Sequence, residues 1–295
     1  MKIDKLFSRK NVVFSLEVFP PKPTTPIETI YDTLEELKDL KPDYISVTYG
    51  AGGNSSNNRT CELSSLIKNK YEIESLAHLT CIQSTKETIE KTLLELKKEG
   101  IENILAMRGD LPIREVSNGE YKHAFELIEH IRRKHEFSIA AACYPEGHLE
   151  SQSLDQDIKY LKQKVDCGAD YLISQLFFDN ELFYNFKERA FEKGIQVPIQ
   201  AGIMPVINKK QIERITKLCG ATLPDKFLKI MNRYENDKIA LRDAGIAYAV
   251  EQIIDLISSG VQGVHLYTMN NPYVARKINE SVKNIIVSIN SGQAI

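Results

Sequence analysis

The chain has 295 residues, 42% hydrophobic and 26% charged, a balance that excludes a disordered or fibrous protein and suits a large buried core. Its formal net charge is −2, and lysine and arginine are spread along the chain, so no basic stripe marks a nucleic-acid partner. No apolar run reaches membrane-spanning length, the start MKIDKLFSRKN lacks a signal-like apolar core, and the five cysteines (Cys61, Cys81, Cys143, Cys167, Cys219) are widely spaced without a C-x-x-C pair; a reduced, cytoplasmic protein is expected.

Short apolar segments rich in Ile, Val, Tyr and Phe recur at 12–19, 43–49, 75–81, 103–109, 138–145, 171–178, 197–204 and 263–269, and each reads as a strand. Helical patterns lie between them. Residues 27–40 place Ile27, Ile30, Leu34 and Leu37 on one face, and 85–100 do the same with Ile89, Leu93 and Leu96 before stopping at Gly100. Residues 153–168 repeat the design with a serine cap and a glycine stop. Eight strands alternating with helices predict a (β/α)8 TIM barrel, one catalytic domain over 1–295, with extra helices at 205–262 between the seventh and eighth strands. An open doubly wound sheet is disfavoured because no G-x-G-x-x-G follows a strand; YGAGG at 49–53 is a glycine-rich strand exit that a simple turn explains.

Barrel chemistry sits at the C-terminal strand ends, and polar residues gather there: Glu17, Thr48, His78 and Thr80, Arg108 and Asp110, Tyr144 and His148, Gln175, Thr268 and Asn270. In VVFSLEVFPPKP, alternation puts Ser15 and Glu17 on one side of the strand and Phe14, Leu16 and Val18 on the other. The apolar set suits the helices and the polar set the lumen. A carboxyl desolvated there is expected to have a raised pKa and to act as a proton donor; a structural ion pair is the plainer alternative. Gly109 in MRGD permits a tight loop whose backbone approaches a ligand, although Arg108 and Asp110 would also suit a simple loop pair. Asp157, Tyr160 and Lys164 follow helical spacing and share a face, for which plain solvation is the ordinary explanation. Gln175 and Gln211 carry amides suited to a heterocycle. No metal-ligand spacing and no nucleophile elbow occur.

The motifs FSLEVFPPK, ISVTYGAGG, HLTC, MRGD, CYPEGH, SQLFFD, GIMP and HLYTMN, in this order from about residue 12 to 271, resemble the methylenetetrahydrofolate reductase family in its short bacterial form. The resemblance implies a barrel carrying FAD that reduces 5,10-methylenetetrahydrofolate to 5-methyltetrahydrofolate with NADH or NADPH, by ping-pong hydride transfer in one-carbon metabolism and methionine biosynthesis. It implies Glu17 as general acid and Asp110 as a carboxylate near both flavin and pterin. Gln175 and Gln211, with Asp110, would meet folate. Thr48, His78, Arg108, Gly109, Asp110, Tyr121, Tyr144, His148, Asp157, Tyr160 and Lys164 would meet the flavin. Relatives carry arginine where this chain has Asn271, and an uncharged amide cannot pair a carboxylate in the same way. The family also implies a homo-oligomer, and some members draw electrons from a partner subunit. A flavin-free lyase or hydrolase using Glu17 and Asp110, or a non-catalytic binding subunit, are the competing readings.

Overall fold

The computed structural model describes residues 1–21, 24–49, 54–110 and 119–293, with the side chains of 54–58 outside that description. The glycine-rich residues 50–53 and the segment 111–118 therefore lie outside the described residues. Eight parallel strands close on themselves in chain order: β1 Val13–Val18, β2 Tyr44–Val47, β3 Glu74–Thr80, β4 Asn103–Met107, β5 Ser138–Cys143, β6 Tyr171–Ser174, β7 Ile199–Ile203 and β8 Gly263–Tyr267. Each lies inside its expected span to within one residue. The helices are α1 Glu28–Lys38, α2 Asn54–Tyr71, α3 Lys86–Lys98, α4 Ala124–Lys134, α5 Leu154–Asp166, α6 Asn180–Glu192, α7 Lys209–Cys219, α8 Asp225–Tyr234, α9 Lys238–Ser258 and α10 Pro272–Asn290. This is the expected TIM barrel, and α7 to α9 supply the extra material before β8.

Alternation divides the core in two. Phe14, Leu16 and Val18 pack outward with Ile30, Leu34 and Leu37 of α1 in the layer between strands and helices. Val13, Tyr44, Leu76, Leu105, Ala140 and Tyr171 point inward and fill the lower lumen. A short 3-10 helix, Ile3–Leu6, plugs the N-terminal end: Ile3 and Leu6 join the lumen cluster, and the Ile3 amide donates to Asn103 Oδ1 at 2.7 Å. The lumen is thus apolar at the floor and polar toward the mouth.

Helix starts follow local chemistry. The Thr85 hydroxyl accepts from the Thr88 amide at 3.1 Å at the head of α3, and Ser153 accepts from Gln156 at 3.3 Å at the head of α5. The inserted helices build a satellite core of Leu176, Phe178, Val206, Ile212, Phe227, Met231 and Leu241. That core draws on the exits of β6 and β7, so the insertion stands at the mouth. α9 runs so close to the β7 exit that a Cβ on Gly245 would lie 1.7 Å from the Val206 carbonyl oxygen.

Candidate active site

Glu17 is the penultimate residue of β1, and its side chain enters the lumen as the strand parity requires. Register sets its neighbours: Glu17 pairs with Ser46 of β2 on one side and with Tyr267 of β8 on the other. Its Oε2 lies 3.4 Å from His265 Nε2, 3.5 Å from Ser46 Oγ and 3.5 Å from His78 Nε2. The backbone is pinned as well. Thr268 Oγ1 donates to the Glu17 carbonyl at 2.6 Å, and Asn270 exchanges two hydrogen bonds with Phe19, at 3.0 and 2.8 Å. Met269 and Asn270 both take left-handed backbone, with φ of 53°, to make that turn. The exit of β8 thereby holds the exit of β1.

The charge state differs from the expectation of a raised pKa. Burial does push the Glu17 carboxyl up, but the His265 hydrogen bond, the nearby imidazoles and the Ser46 hydroxyl outweigh it, and the pKa is held below the ordinary value. Glu17 is a half-buried carboxylate. His78 goes the other way: burial pulls its imidazole down to about 4, against the opposing pull of Glu17. Its Nε2 is buried and makes no hydrogen bond, lying 3.5 Å from the Glu17 carboxylate.

A cationic wall stands on the β4 and β5 side. Arg108 follows β4 and grips Glu150 with two bonds, at 2.5 and 2.7 Å. Gly109 has φ of 87°, and a Cβ there would lie 3.0 Å from Thr80 Cβ, so the loop passes close over the end of β3. Lys164 of α5 is threaded beneath: its Nζ donates to the Ala142 carbonyl at 2.8 Å and lies 5.7 Å from the Tyr144 ring centroid. Burial draws its ammonium down in pKa, with Asp157 opposing. His148 meets Tyr144 edge-on at 4.8 Å between centroids. Asp157 is buried and accepts from Ser151 Oγ at 2.9 Å. Asp157 and Lys164 therefore share the inward face of α5, while Tyr160 stands at its exposed edge and accepts from Gln156 Nε2 at 2.8 Å. A face defined by spacing alone did not separate the buried pair from its rim.

The other expected residues are more dispersed. Thr48 follows β2, its amide donating to the Val18 carbonyl at 3.0 Å. Gln175 leaves β6 half-buried, its Oε1 accepting from the Leu176 amide at 2.9 Å. Gln211 is half-buried in the first turn of α7. Asp110 is exposed, three residues after the end of β4. Tyr121 is buried with its hydroxyl 2.7 Å from His130 Nδ1 of α4, a contact in the helix layer. Asn271 caps α10 just before Pro272, where its Oδ1 accepts from the Val274 amide at 3.2 Å.

His265 and Ser46 were not singled out from the sequence. The signal for His265 was present: in GVHLY it alternates with Tyr267, which puts it on the lumen side of β8 and in register with Ser15.

The wall suits an anionic group. It carries the Arg108 guanidinium, held by Glu150, the half-buried Lys164 ammonium and a glycine loop of close approach. Among the described residues, no group of three or more His, Cys, Asp or Glu side chains could hold a metal ion.

Comparison with known proteins decides the family. The family profile described as methylenetetrahydrofolate reductase matches residues 2–283. The chain belongs to the methylenetetrahydrofolate reductase family. It is 34% identical over 266 residues to the 5,10-methylenetetrahydrofolate reductase of Pectobacterium carotovorum, covering 90% of this chain and 88% of that one. The Escherichia coli enzyme of that name is 34% identical over 256 residues, covering 87% and 86%. Methylenetetrahydrofolate reductase 1 of Schizosaccharomyces pombe is 35% identical over 297 residues, and the chain, 97% covered, spans only 48% of it. The chain thus spans about half the length of its eukaryotic relatives and most of the length of its bacterial ones. A solved structure with TM-score 0.61 and 13% identity covers 97% of this chain and 99% of its own; it is an uncharacterized Clostridium thermocellum protein described as binding two copies of 5-methyl-5,6,7,8-tetrahydrofolic acid. At that identity it supports the fold of this reductase-family chain and nothing finer.

Proposed function

We propose that this chain reduces 5,10-methylenetetrahydrofolate to 5-methyltetrahydrofolate in a ping-pong cycle, with a nicotinamide cofactor as hydride donor. The observation that carries the reading is a half-buried Glu17, backed by His265 and Ser46, at a barrel mouth beside a cationic wall. FAD, when bound, would supply a hydride carrier between the two substrates. Arg108, Gly109, Tyr144, His148 and Lys164 would hold it, with Thr48, His78 and Asp157 beside them and Tyr121 and Tyr160 at the periphery.

The substrate's five-membered ring must open before reduction. The bond between the methylene carbon and N10 breaks, and N10 needs a proton. A pterin covering the mouth excludes water, strengthens the desolvation that already pushes Glu17 upward, and favours the protonated acid. Glu17 then gives its proton to N10, and the carboxylate left behind accepts from His265 and Ser46. The methylene carbon, now an iminium on N5, takes the hydride. Asp110 would stabilise that cation through space, and the amides of Gln175 and Gln211 would orient the ring system.

Titration of the purified protein with FAD tests the cofactor directly. One equivalent should bind with quenched fluorescence and a flavin spectrum, bleach with NADH or NADPH, and recolour with methylenetetrahydrofolate. Protein that takes up no FAD would sink the proposal. Bleaching by dithionite but by neither nicotinamide would move the electron source to a partner protein.

A further inference from the structure

A chain of buried polar side chains runs down the lumen from Glu17 into the apolar floor. Tyr44 of β2 donates its phenol to Gln200 Oε1 at 2.5 Å. Gln200 of β7 donates from Nε2 to Ser15 Oγ at 3.2 Å and to the Val13 carbonyl at 3.4 Å. Ser15 Oγ lies 2.7 Å from His265 Nδ1, and His265 Nε2 lies 3.4 Å from Glu17 Oε2. Tyr44, Gln200, Ser15 and His265 are all fully buried. The fold makes room for the arrangement at Gly263, where a Cβ would lie 2.7 Å from Gln200 Cγ and 2.9 Å from its Nε2.

The Val13 carbonyl sets the polarity of the lower links. A backbone carbonyl only accepts, so the nitrogen of the Gln200 amide faces Val13 and Ser15. Its oxygen is left for Tyr44, which must donate. Ser15 accepts from the amide and has one proton to give. His265 Nδ1 at 2.7 Å is a closer acceptor for it than the Val264 carbonyl at 3.4 Å. A neutral imidazole that accepts at Nδ1 carries its proton on Nε2, the nitrogen facing Glu17.

We infer that Gln200 and Tyr44 are positioning residues for Glu17: the hydrogen-bond chain they begin fixes His265 as the Nε2–H tautomer, so that a donor always faces the Glu17 carboxylate. The inference deepens the reading of Glu17 as proton donor and rests on it for its catalytic meaning, though not for the tautomer itself. Without the chain, His265 is free to place its proton on Nδ1, and Glu17 loses its donor while keeping its burial. Its proton affinity then rises. The other titratable groups facing Glu17 are His78 of β3, Tyr44 of β2 and Tyr267 of β8. His78 stays uncharged above about pH 4, and burial pushes both phenols above the ordinary tyrosine range, so none of them masks the effect near neutrality.

The test is a two-bond proton–nitrogen correlation spectrum of the whole protein labelled with 15N-histidine. With six histidines in the chain, His265 is assigned by the signal lost in His265→Gln. The expected spectrum shows His265 protonated at Nε2 and accepting at Nδ1. Gln200→Leu should erode that pattern, and the alkaline limb of the folate half-reaction's pH profile, where Glu17 loses its proton, should move upward, while folate affinity changes less than about threefold. Tyr44→Phe, which deletes one hydroxyl, should move both readouts in the same direction by less. Gly263→Ala, which presses on the same amide from β8, serves if Gln200→Leu does not fold. A wild-type His265 protonated at Nδ1, or a tautomer unchanged in Gln200→Leu and Gly263→Ala alike, overturns the inference. If the tautomer shifts as stated but Glu17→Gln leaves the pH profile intact, the acid assignment fails and the tautomer assignment stands.

Discussion

Two buried imidazoles flank the Glu17 carboxylate, and the one from β3 resists protons. Folded His78 takes one only near pH 4, whereas an unfolded histidine takes one near 6.5. Between those values the unfolded chain binds more protons, so stability must fall as the pH drops from about 6.5 to 4, by roughly 3 kcal/mol in all. Glu17 acts in a lower window. Its folded pKa is depressed below 4.5, so its contribution is present above that value and is lost as the pH falls further. Urea unfolding at pH 7.5 and 4.5 should show a midpoint loss that is clearly smaller in His78→Asn than in the parent chain. An equal loss in both would mean that His78 is not the group responsible. The position of Glu17 was legible from the alternation of one strand. Its charge was not, because the deciding donor, His265, comes from a strand 248 positions away and reaches it only when the barrel closes.

At the scale of elements, the join between the insertion and the barrel is the sharpest constraint. Gly245 lies inside α9, where alanine would ordinarily be favoured by about 1 kcal/mol. Here the added methyl would lie 1.7 Å from the Val206 carbonyl, and that clash outweighs the propensity. Gly245→Ala should therefore lower the melting temperature by several degrees; an unchanged or higher value would show that α9 does not pack on the β7 exit as described. The apolar spacing at 205–262 revealed helices but not this seating, since a buried glycine inside a helix gives no periodic signal. The turn after β8 is a similar case. Asn271 was legible as a departure from the family's arginine, and its use as the cap of α10 emerged only with the backbone in place. Asn271→Ala should cost about 1 kcal/mol in unfolding free energy, checked by the same urea titration. A neutral result would remove the capping account.

Across the whole molecule, the barrel was readable because each strand is a short apolar burst and the intervening helices carry clear stripes and stops. The plug at Ile3–Leu6 was not, since four residues are too few to show a period and its apolar side chains gain meaning only beneath a closed lumen. That plug and the lumen cluster leave one polar end, where strands far apart in sequence bring Glu17, Ser46, His78 and His265 together. We propose that this end delivers a proton to the departing nitrogen of the folate substrate through Glu17. Rapid-mixing measurement of the two half-reactions in FAD-loaded Glu17→Gln tests it most directly. Reduction of the flavin by the nicotinamide should proceed within a few-fold of the parent rate, while reoxidation by methylenetetrahydrofolate should slow by at least about 100-fold, the lower range for a general acid. Reoxidation at the parent rate would contradict the account.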